Sequence, residues 1–239
     1  MKNNAASFYK EATSAIDVDL RKYMLNVFAY MSFGLMLTAV IAYFVGTSTN
    51  LLSLFFSSGV PALCVVLIPF GISLYFSARI ATISVTKAKA LFVTFAVCFG
   101  LSLSSIFAVF PSFVVVYAFF VTSSMFLSMV IYGYVTEKDL TSWGAFLFMG
   151  LVGLIIAGIV NLFTRSSSGE MLISAAGVVI FTGLIAYDTQ FIKSYYFGSD
   201  TQESGKKKAI FGALILYLDF INLFLYVLRL LATIAAKRR

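Results

Sequence analysis

Apolar residues occur along this chain in seven long runs, separated by short polar stretches. Each run has about 20 residues, which is the length an α-helix needs to cross the hydrocarbon core of a bilayer. The runs predict membrane spans at Met24–Gly46, Val60–Ser77, Ala90–Phe110, Phe113–Tyr134, Ser142–Phe163, Met171–Ile192 and Ala209–Thr233. We therefore predict an all-α membrane protein, a seven-transmembrane helical bundle that forms one domain over residues 24–233.

Two short segments flank the predicted bundle. Residues 1–23 mix polar and charged side chains and have no apolar core, so we expect a cytoplasmic N-terminal segment rather than a cleavable signal peptide. Residues 234–239 form a basic C-terminal tail.

Composition supports the membrane assignment and narrows the possible chemistry. Hydrophobic residues make up 61% of the chain and charged residues 11%, whereas soluble domains carry about 25% charged residues. The net charge of +7 comes mostly from Lys and Arg at helix ends, so we expect the lipid bilayer as partner and no nucleic acid. Histidine is absent, which removes the usual side chain for sensing pH near neutrality.

No pattern in the sequence indicates an enzyme. The two cysteines, Cys64 and Cys98, lie in apolar spans without metal-ligand spacing, and we expect them to be packing residues. The chain contains no GxSxG elbow, no P-loop and no GxGD motif around Asp219. We expect no enzymatic activity and no tightly bound cofactor.

The basic residues predict the orientation in the membrane. With the N-terminus in the cytoplasm, most loop lysines and arginines fall on the cytoplasmic side, as the positive-inside rule requires. The tail residues Lys237–Arg239 oppose this, because seven full spans place them outside. A re-entrant last segment would return the tail to the cytoplasm. We favour seven full spans, because the last segment is long enough to cross.

Two aspartates, Asp188 and Asp219, lie within predicted spans. A carboxylate at bilayer depth costs roughly 2.5–3.5 kcal/mol, so such a residue usually faces a partner or an aqueous pathway. On the last span, Asp219, Asn222 and Tyr226 follow at helical spacing, with Arg229 one turn further along. Because this polar stripe lies on an otherwise apolar helix, we predict that the last helix is central and that Asn222 and Tyr226 support the aspartate.

The depths of the charged residues suggest which of them meet. Asp188 lies near the cytoplasmic end of its span, and Arg79 closes the second span at the same end, so an ion pair between them is geometrically accessible. Asp219 lies about 16 Å beyond Lys208 along a helix. It would therefore be deeper than Asp188 unless the last helix starts late, near Gly212.

If Asp188 and Asp219 meet, both cannot ionise comfortably in a low-dielectric site, so the pair tends to share one proton. Loss of that proton introduces repulsion, and Arg79 then competes for Asp188. The result would be a pH-sensitive latch built without histidine. A static ion pair that fixes helix register is the alternative.

Two segments, GLIAYDTQFI (Gly183–Ile192) and LILYLDFINLFLYVLRLL (Leu214–Leu231), resemble the signature segments of the Bax inhibitor-1 family, also called the transmembrane Bax-inhibitor-motif family. This resemblance implies a pH-sensitive calcium leak. The family's di-aspartyl sensor would fall on Asp188 and Asp219, and its arginine partner on Arg79.

The resemblance also implies a location and partners. Bacterial members lie in the inner membrane, and some associate with a membrane-bound AAA protease, whereas eukaryotic members reside mostly in the endoplasmic reticulum and other internal membranes. The short N-terminal segment, which lacks the Pro-rich extension of several animal members, favours a bacterial inner-membrane protein.

Two functions follow as hypotheses. The first is a pH-sensitive calcium-permeable leak, in which Asp219 and Asp188 bind calcium weakly and transiently as the permeant ion. The second is a membrane interaction protein that modulates a membrane-bound protease or a cell-survival factor, with the aspartates maintaining the fold. The sequence leaves open whether a proton opens or closes the path.

Overall fold

The computed structural model describes the backbone of residues 2–237 and the side chains of residues 18–235, and this part of the chain contains helices and no strands. The helices are α1 (Lys2–Gly46), α2 (Thr49–Phe56), α3 (Gly59–Arg79), α4 (Val85–Leu103), α5 (Ile106–Val109), α6 (Ser112–Val135), α7 (Thr141–Thr164), α8 (Ser167–Ser194) and α9 (Gln202–Lys237). Seven stretches are long and apolar enough to cross a membrane. The predicted all-α membrane bundle is therefore confirmed.

The predicted terminal segments lie largely outside the described side chains. Residues 1–17 and 236–239 fall there, which includes most of the predicted N-terminal segment and of the basic tail.

Two local features differ from the predicted spans. The short helix α2 precedes the second span, and the Ser48 hydroxyl caps it by accepting a hydrogen bond from the Leu51 amide. The predicted span Ala90–Phe110 is divided into α4 and α5, because the chain bends at Ser104, whose hydroxyl donates to the Leu101 carbonyl. Such a bond from a serine to its own helix competes with the regular ladder and bends the helix.

The last helix is central, as the sequence predicts. Of the residues in its most apolar stretch, 67% are buried, against 11% for α3 and for α7. It packs against α1, α4, α6 and α8, whereas α3 packs against α2 and α4. The surface of α9 is therefore largely protein-facing, and its polar residues must find partners within the bundle.

One side of α9 is fixed by Tyr217, which is fully buried. Its ring lies edge-on to Phe92, Phe95 and Phe99 of α4, with ring centroids 5.1 to 6.3 Å apart. The Thr38 hydroxyl of α1 donates to the Ala96 carbonyl at 2.8 Å, so the Tyr217 hydroxyl, 2.7 Å away, must donate to Thr38. This arrangement joins α1, α4 and α9.

One end of the bundle carries most of its cations, and we call it the basic face. It is defined by Arg79, Lys87, Lys138, Lys193 and Lys206–Lys208. Contacts between elements confirm that these ends lie together, since Lys207 donates to the Ala81 carbonyl and Lys193 to the Tyr134 carbonyl.

At this face, the turn between α8 and α9 is closed by Asp200 and Lys208. The Lys208 ammonium lies 2.7 and 2.8 Å from the two Asp200 carboxylate oxygens and also donates to the Tyr195 carbonyl. Burial opposes ionisation of Asp200, but hydrogen bonds from Lys208 and from the Phe197 amide outweigh it and hold the pKa of this carboxyl below its usual range. The turn that sets the α8–α9 pairing is thus held by a charge-assisted contact.

We predict that Thr38→Val destabilises the protein more than Tyr217→Phe does. Removing the Tyr217 hydroxyl leaves Thr38 bonded to Ala96, at a cost of about 1 kcal/mol. Removing the Thr38 hydroxyl leaves the buried Tyr217 hydroxyl without its hydrogen-bond partner, at a cost of about 1–3 kcal/mol. Unfolding in mixed detergent micelles measures both. The double variant should be more stable than Thr38→Val alone, and equal stability of the two single variants would contradict the assignment.

We predict that Asp200→Asn lowers the free energy of unfolding by about 1–3 kcal/mol at neutral pH, the typical contribution of hydrogen bonds to a charged group. Because the folded pKa lies below the unfolded value of about 3.9, this stabilisation is full above that value and is lost as pH falls through the folded pKa. Melting temperatures of wild type and variant should therefore differ at pH 7 and converge as the pH falls below the folded pKa of Asp200. A difference that persists in acid would contradict it.

Candidate functional site

The candidate site lies where α8 and α9 pack antiparallel, and two glycines make their approach close. At Gly177 of α8 an added Cβ would stand only 2.5 Å from the Tyr226 ring, and at Gly212 of α9 it would stand 2.9 Å from Ile192. Neither position has room for a side chain. The two glycines therefore set the spacing of the helices above and below the site.

The depth of the two aspartates is set by the contact between Ile192 and Gly212. Asp188 lies one turn before Ile192 on α8, and Asp219 lies two turns after Gly212 on α9, so the two residues come to similar depth. The helix does not start late, as the sequence argument required, because α9 begins at Gln202. Instead its first turns extend past the end of α8, where Lys208 reaches back to Tyr195.

The Asp188 and Asp219 side chains lie next to each other between α8 and α9, close enough to interact. Asp219 is 6% exposed, and its Oδ2 atom has no hydrogen-bond partner, whereas Asp188 is partly buried. Because an ionised carboxylate only accepts hydrogen bonds, a hydrogen bond between these two groups would require a proton on one of them.

Helix α6 closes the site from a third side. An added Cβ at Gly133 would collide with the backbone of Ala186, two residues before Asp188, so α6 and α8 are in backbone contact there. Phe220, next to Asp219, packs between Phe119 and Phe126 of α6. These contacts surround the carboxyl pair with apolar groups on the α6 side.

Arg79 does not take part in this contact. It is exposed at the end of α3, and among the described side chains it forms no ion pair with Asp188 or Asp219. The physical reason is the packing of α3, which lies on α2 and α4 and has no extensive contact with α8. Equal depth along the bundle, from which the sequence suggested this pair, does not place two helices side by side.

The polar stripe on α9 faces α8 but serves mainly packing. The Asn222 amide donates to the Leu218 carbonyl of its own helix at 2.8 Å. Tyr226 stacks on Phe181, with ring centroids 5.6 Å apart. The guanidinium carbon of Arg229 lies 5.9 Å from the centroid of the Tyr226 ring. Neither Asn222 nor Tyr226 has a described hydrogen bond to the aspartates.

The sequence did not predict a group of hydrogen bonds that Gln190 and Lys193 form next to the site. Gln190 accepts a hydrogen bond from the Leu140 amide at 2.9 Å and donates to the Lys138 carbonyl at 2.8 Å. Lys193 donates to the Tyr134 carbonyl at 2.9 Å. These residues tie the end of α8 to the α6–α7 turn. The only signal in the sequence was the position of Gln190 within the YDTQ string.

The site offers few ligands for a cation. Among the described residues, no group of three or more Asp, Glu, Cys or His side chains is close enough to hold a metal ion. Calcium usually takes six or more oxygen ligands, so two carboxyl groups supply only part of a coordination shell.

Two cavities were located near α9, and neither is lined by an aspartate. The larger, of about 1040 Å³, lies between α1 and α6, and the smaller, of about 80 Å³, lies beside Thr38 and Phe224. Both have almost wholly apolar walls. In this conformation neither cavity connects the carboxyl pair to the membrane surface.

Similarity to known proteins identifies the family of this chain. The family model described as "Inhibitor of apoptosis-promoting Bax1" matches residues 20–236. An uncharacterized protein of Rickettsia prowazekii is 44% identical over 90% of this chain and 91% of its own length. The inner membrane protein YbhL of Escherichia coli is 38% identical over 88% of this chain and 91% of its own length. The chain belongs to the Bax inhibitor-1 family of membrane proteins.

Proposed function

We propose that this protein is a pH-sensitive calcium-permeable leak channel whose gate is the Asp188–Asp219 pair. The observation that carries the proposal is the contact of two carboxyl groups between α8 and α9, deep in the bundle. A shared proton holds the helices together. Its loss leaves two like charges in a medium of low dielectric constant, which drives the helices apart.

Calcium is the proposed permeant ion because the polar atoms of the site are oxygens. Two carboxylates and the water that would enter between separated helices form a weak and short-lived binding site. Such a site suits passage rather than storage, since conduction requires binding that is weak enough to release the ion. We propose no tightly bound cofactor.

Arg79 enters this proposal only in a second conformation. Since α3 packs on α2 and α4, the guanidinium would reach Asp188 only after the helices at the basic face rearrange. In that state an ion pair with Arg79 would replace the shared proton as the partner of Asp188.

The proposed orientation places the basic face in the cytoplasm. Seven spans then put the N-terminus on the cytoplasmic side, in accord with the positive-inside rule. The similarity to an Escherichia coli inner membrane protein supports a bacterial inner membrane as the location.

We predict that the calcium flux of wild-type proteoliposomes changes between about pH 5 and pH 8, whereas Asp188→Asn and Asp219→Asn give flux that is nearly independent of pH. An amide carries no charge in this range, so the repulsion between two carboxylates that drives the helices apart never forms. Calcium-sensitive dye trapped in the vesicles measures the flux.

Asp139→Asn is the matched control, because Asp139 is an exposed aspartate in the α6–α7 turn and its only described contact is local. It should retain the wild-type pH dependence. If Asp219→Asn also retains it, the latch is refuted. If folded wild type shows no flux at all, the membrane interaction protein that modulates a protease or a survival factor becomes the better explanation.

We further predict that locking α8 to α9 stops the flux. Ile192→Cys removes the branched side chain that a Cβ at position 212 would meet, so Gly212→Cys is accommodated in the double variant and the two cysteines stand within reach of a disulfide. Both are introduced in a background where Cys64 and Cys98 are replaced by alanine. Oxidation should reduce flux at every pH, and reduction should restore it in the same vesicles. Flux that is unchanged by oxidation, with the disulfide confirmed by mass spectrometry, would show that separation of these helices is not the gate.

A further inference from the structure

A long apolar groove runs between α1 and α6. Its volume is about 1040 Å³. One wall is formed by α1 residues from Arg21 to Ala39, and the other by α6 residues from Phe119 to Val135. Phe220 of α9 forms the floor. The groove therefore starts at the basic face and reaches to the central helix.

The groove exists because α1 and α6 have different partners. Helix α1 packs against α4 and α9, whereas α6 packs against α8 and α9. The two helices thus lie on either side of α9 without packing extensively on each other. Small side chains keep the space open, since Ser32 of α1 and Ser123 of α6 line it.

The groove is longer than one acyl chain requires, since such a chain crosses only one leaflet of the bilayer. From Arg21 to Ala39 the groove follows α1 for about 27 Å, close to the ~30 Å thickness of the hydrocarbon core. Its walls are formed by side chains such as Met24, Phe28 and Val130. Because the groove faces the hydrocarbon, a polar ligand or water would find few partners in it.

The positive charge at the opening of the groove favours anionic lipids. Arg21 is exposed and is the cation among the lining residues, and it stands at the basic face near the end of α6. A guanidinium binds a phosphate through two parallel hydrogen bonds. The headgroups of that leaflet lie at the same level, so the phosphate of a lipid in the groove would meet Arg21, and an anionic lipid brings no headgroup cation to oppose this contact.

We propose that this groove binds one anionic phospholipid, with its phosphate on Arg21 and an acyl chain along Phe126 and Phe220. Such a site goes beyond the proposed leak, because it assigns a specific lipid to the surface of the bundle. It does not depend on whether the aspartate pair conducts calcium.

Native mass spectrometry of the detergent-solubilised protein tests the proposal. With added phosphatidylglycerol, wild type should retain one lipid molecule, and Arg21→Gln should bind it about tenfold more weakly. Phosphatidylcholine should bind wild type more weakly than phosphatidylglycerol, and inorganic phosphate should not compete. Lys87→Gln, which removes an exposed cation of the same face outside the groove, should bind as wild type does.

The acyl-chain part is tested by filling the groove. Ser123→Phe places a ring in the groove and should abolish retention, whereas Gly158→Phe places the same ring on the exposed surface of α7, where no other side chain is near, and should not. Equal retention in wild type, Arg21→Gln and Ser123→Phe would overturn the proposal, as would equal binding of the two lipids.

A measurement on wild type alone keeps the proposal testable if a variant does not fold. Phosphatidylglycerol with a photoactivatable acyl chain should cross-link mainly to groove residues such as Phe28 and Leu127. Labelling spread evenly over exposed residues elsewhere, such as Phe163 and Val179, would overturn it.

Discussion

Two carboxyl groups in contact inside a bilayer impose a condition on everything around them. One proton must be present, water must be excluded or the contact dissolves, and the helices that carry the groups must be held at a fixed distance. The rest of the structure meets these conditions. Gly177 and Gly212 let α8 and α9 approach, Gly133 brings α6 against the backbone beside Asp188, and the Asp200–Lys208 contact fixes the turn between the two helices.

The sequence predicted the helices well because each span had to bury its backbone polar groups within an apolar run. The same reasoning placed α9 at the centre, since a polar stripe on an apolar helix has to face protein. Helix α2 and the bend at Ser104 were missed, because both depend on a serine hydroxyl bonding to nearby backbone, which leaves no periodic signal.

Within the site, the sequence indicated which residues are unusual but not which residues lie next to one another. Asp188 and Asp219 were recognisable because a carboxylate in a span is costly wherever it points. The depth of Asp188 relative to Asp219 depends on how far α9 extends past the end of α8, and no local sequence pattern indicates that length. Whether Arg79 lies beside Asp188 could not be predicted for a related reason: depth is readable from a span, but the order of helices around the bundle is not. Thr38 and Tyr217, 179 residues apart, were likewise invisible as partners.

The anchoring of Tyr217 has a consequence for how the bundle can change shape. Tyr217 and Asp219 are two residues apart, so they point to nearly opposite sides of α9. One side is held by three phenylalanine rings and a hydrogen-bonded threonine, and the other carries Asp219. Helix α9 is therefore anchored to α1 and α4. If α8 and α9 separate as proposed, α8 is the helix that moves, and the hydrogen bonds of Gln190 and Lys193, which hold the end of α8 that carries Asp188, limit how far it can move.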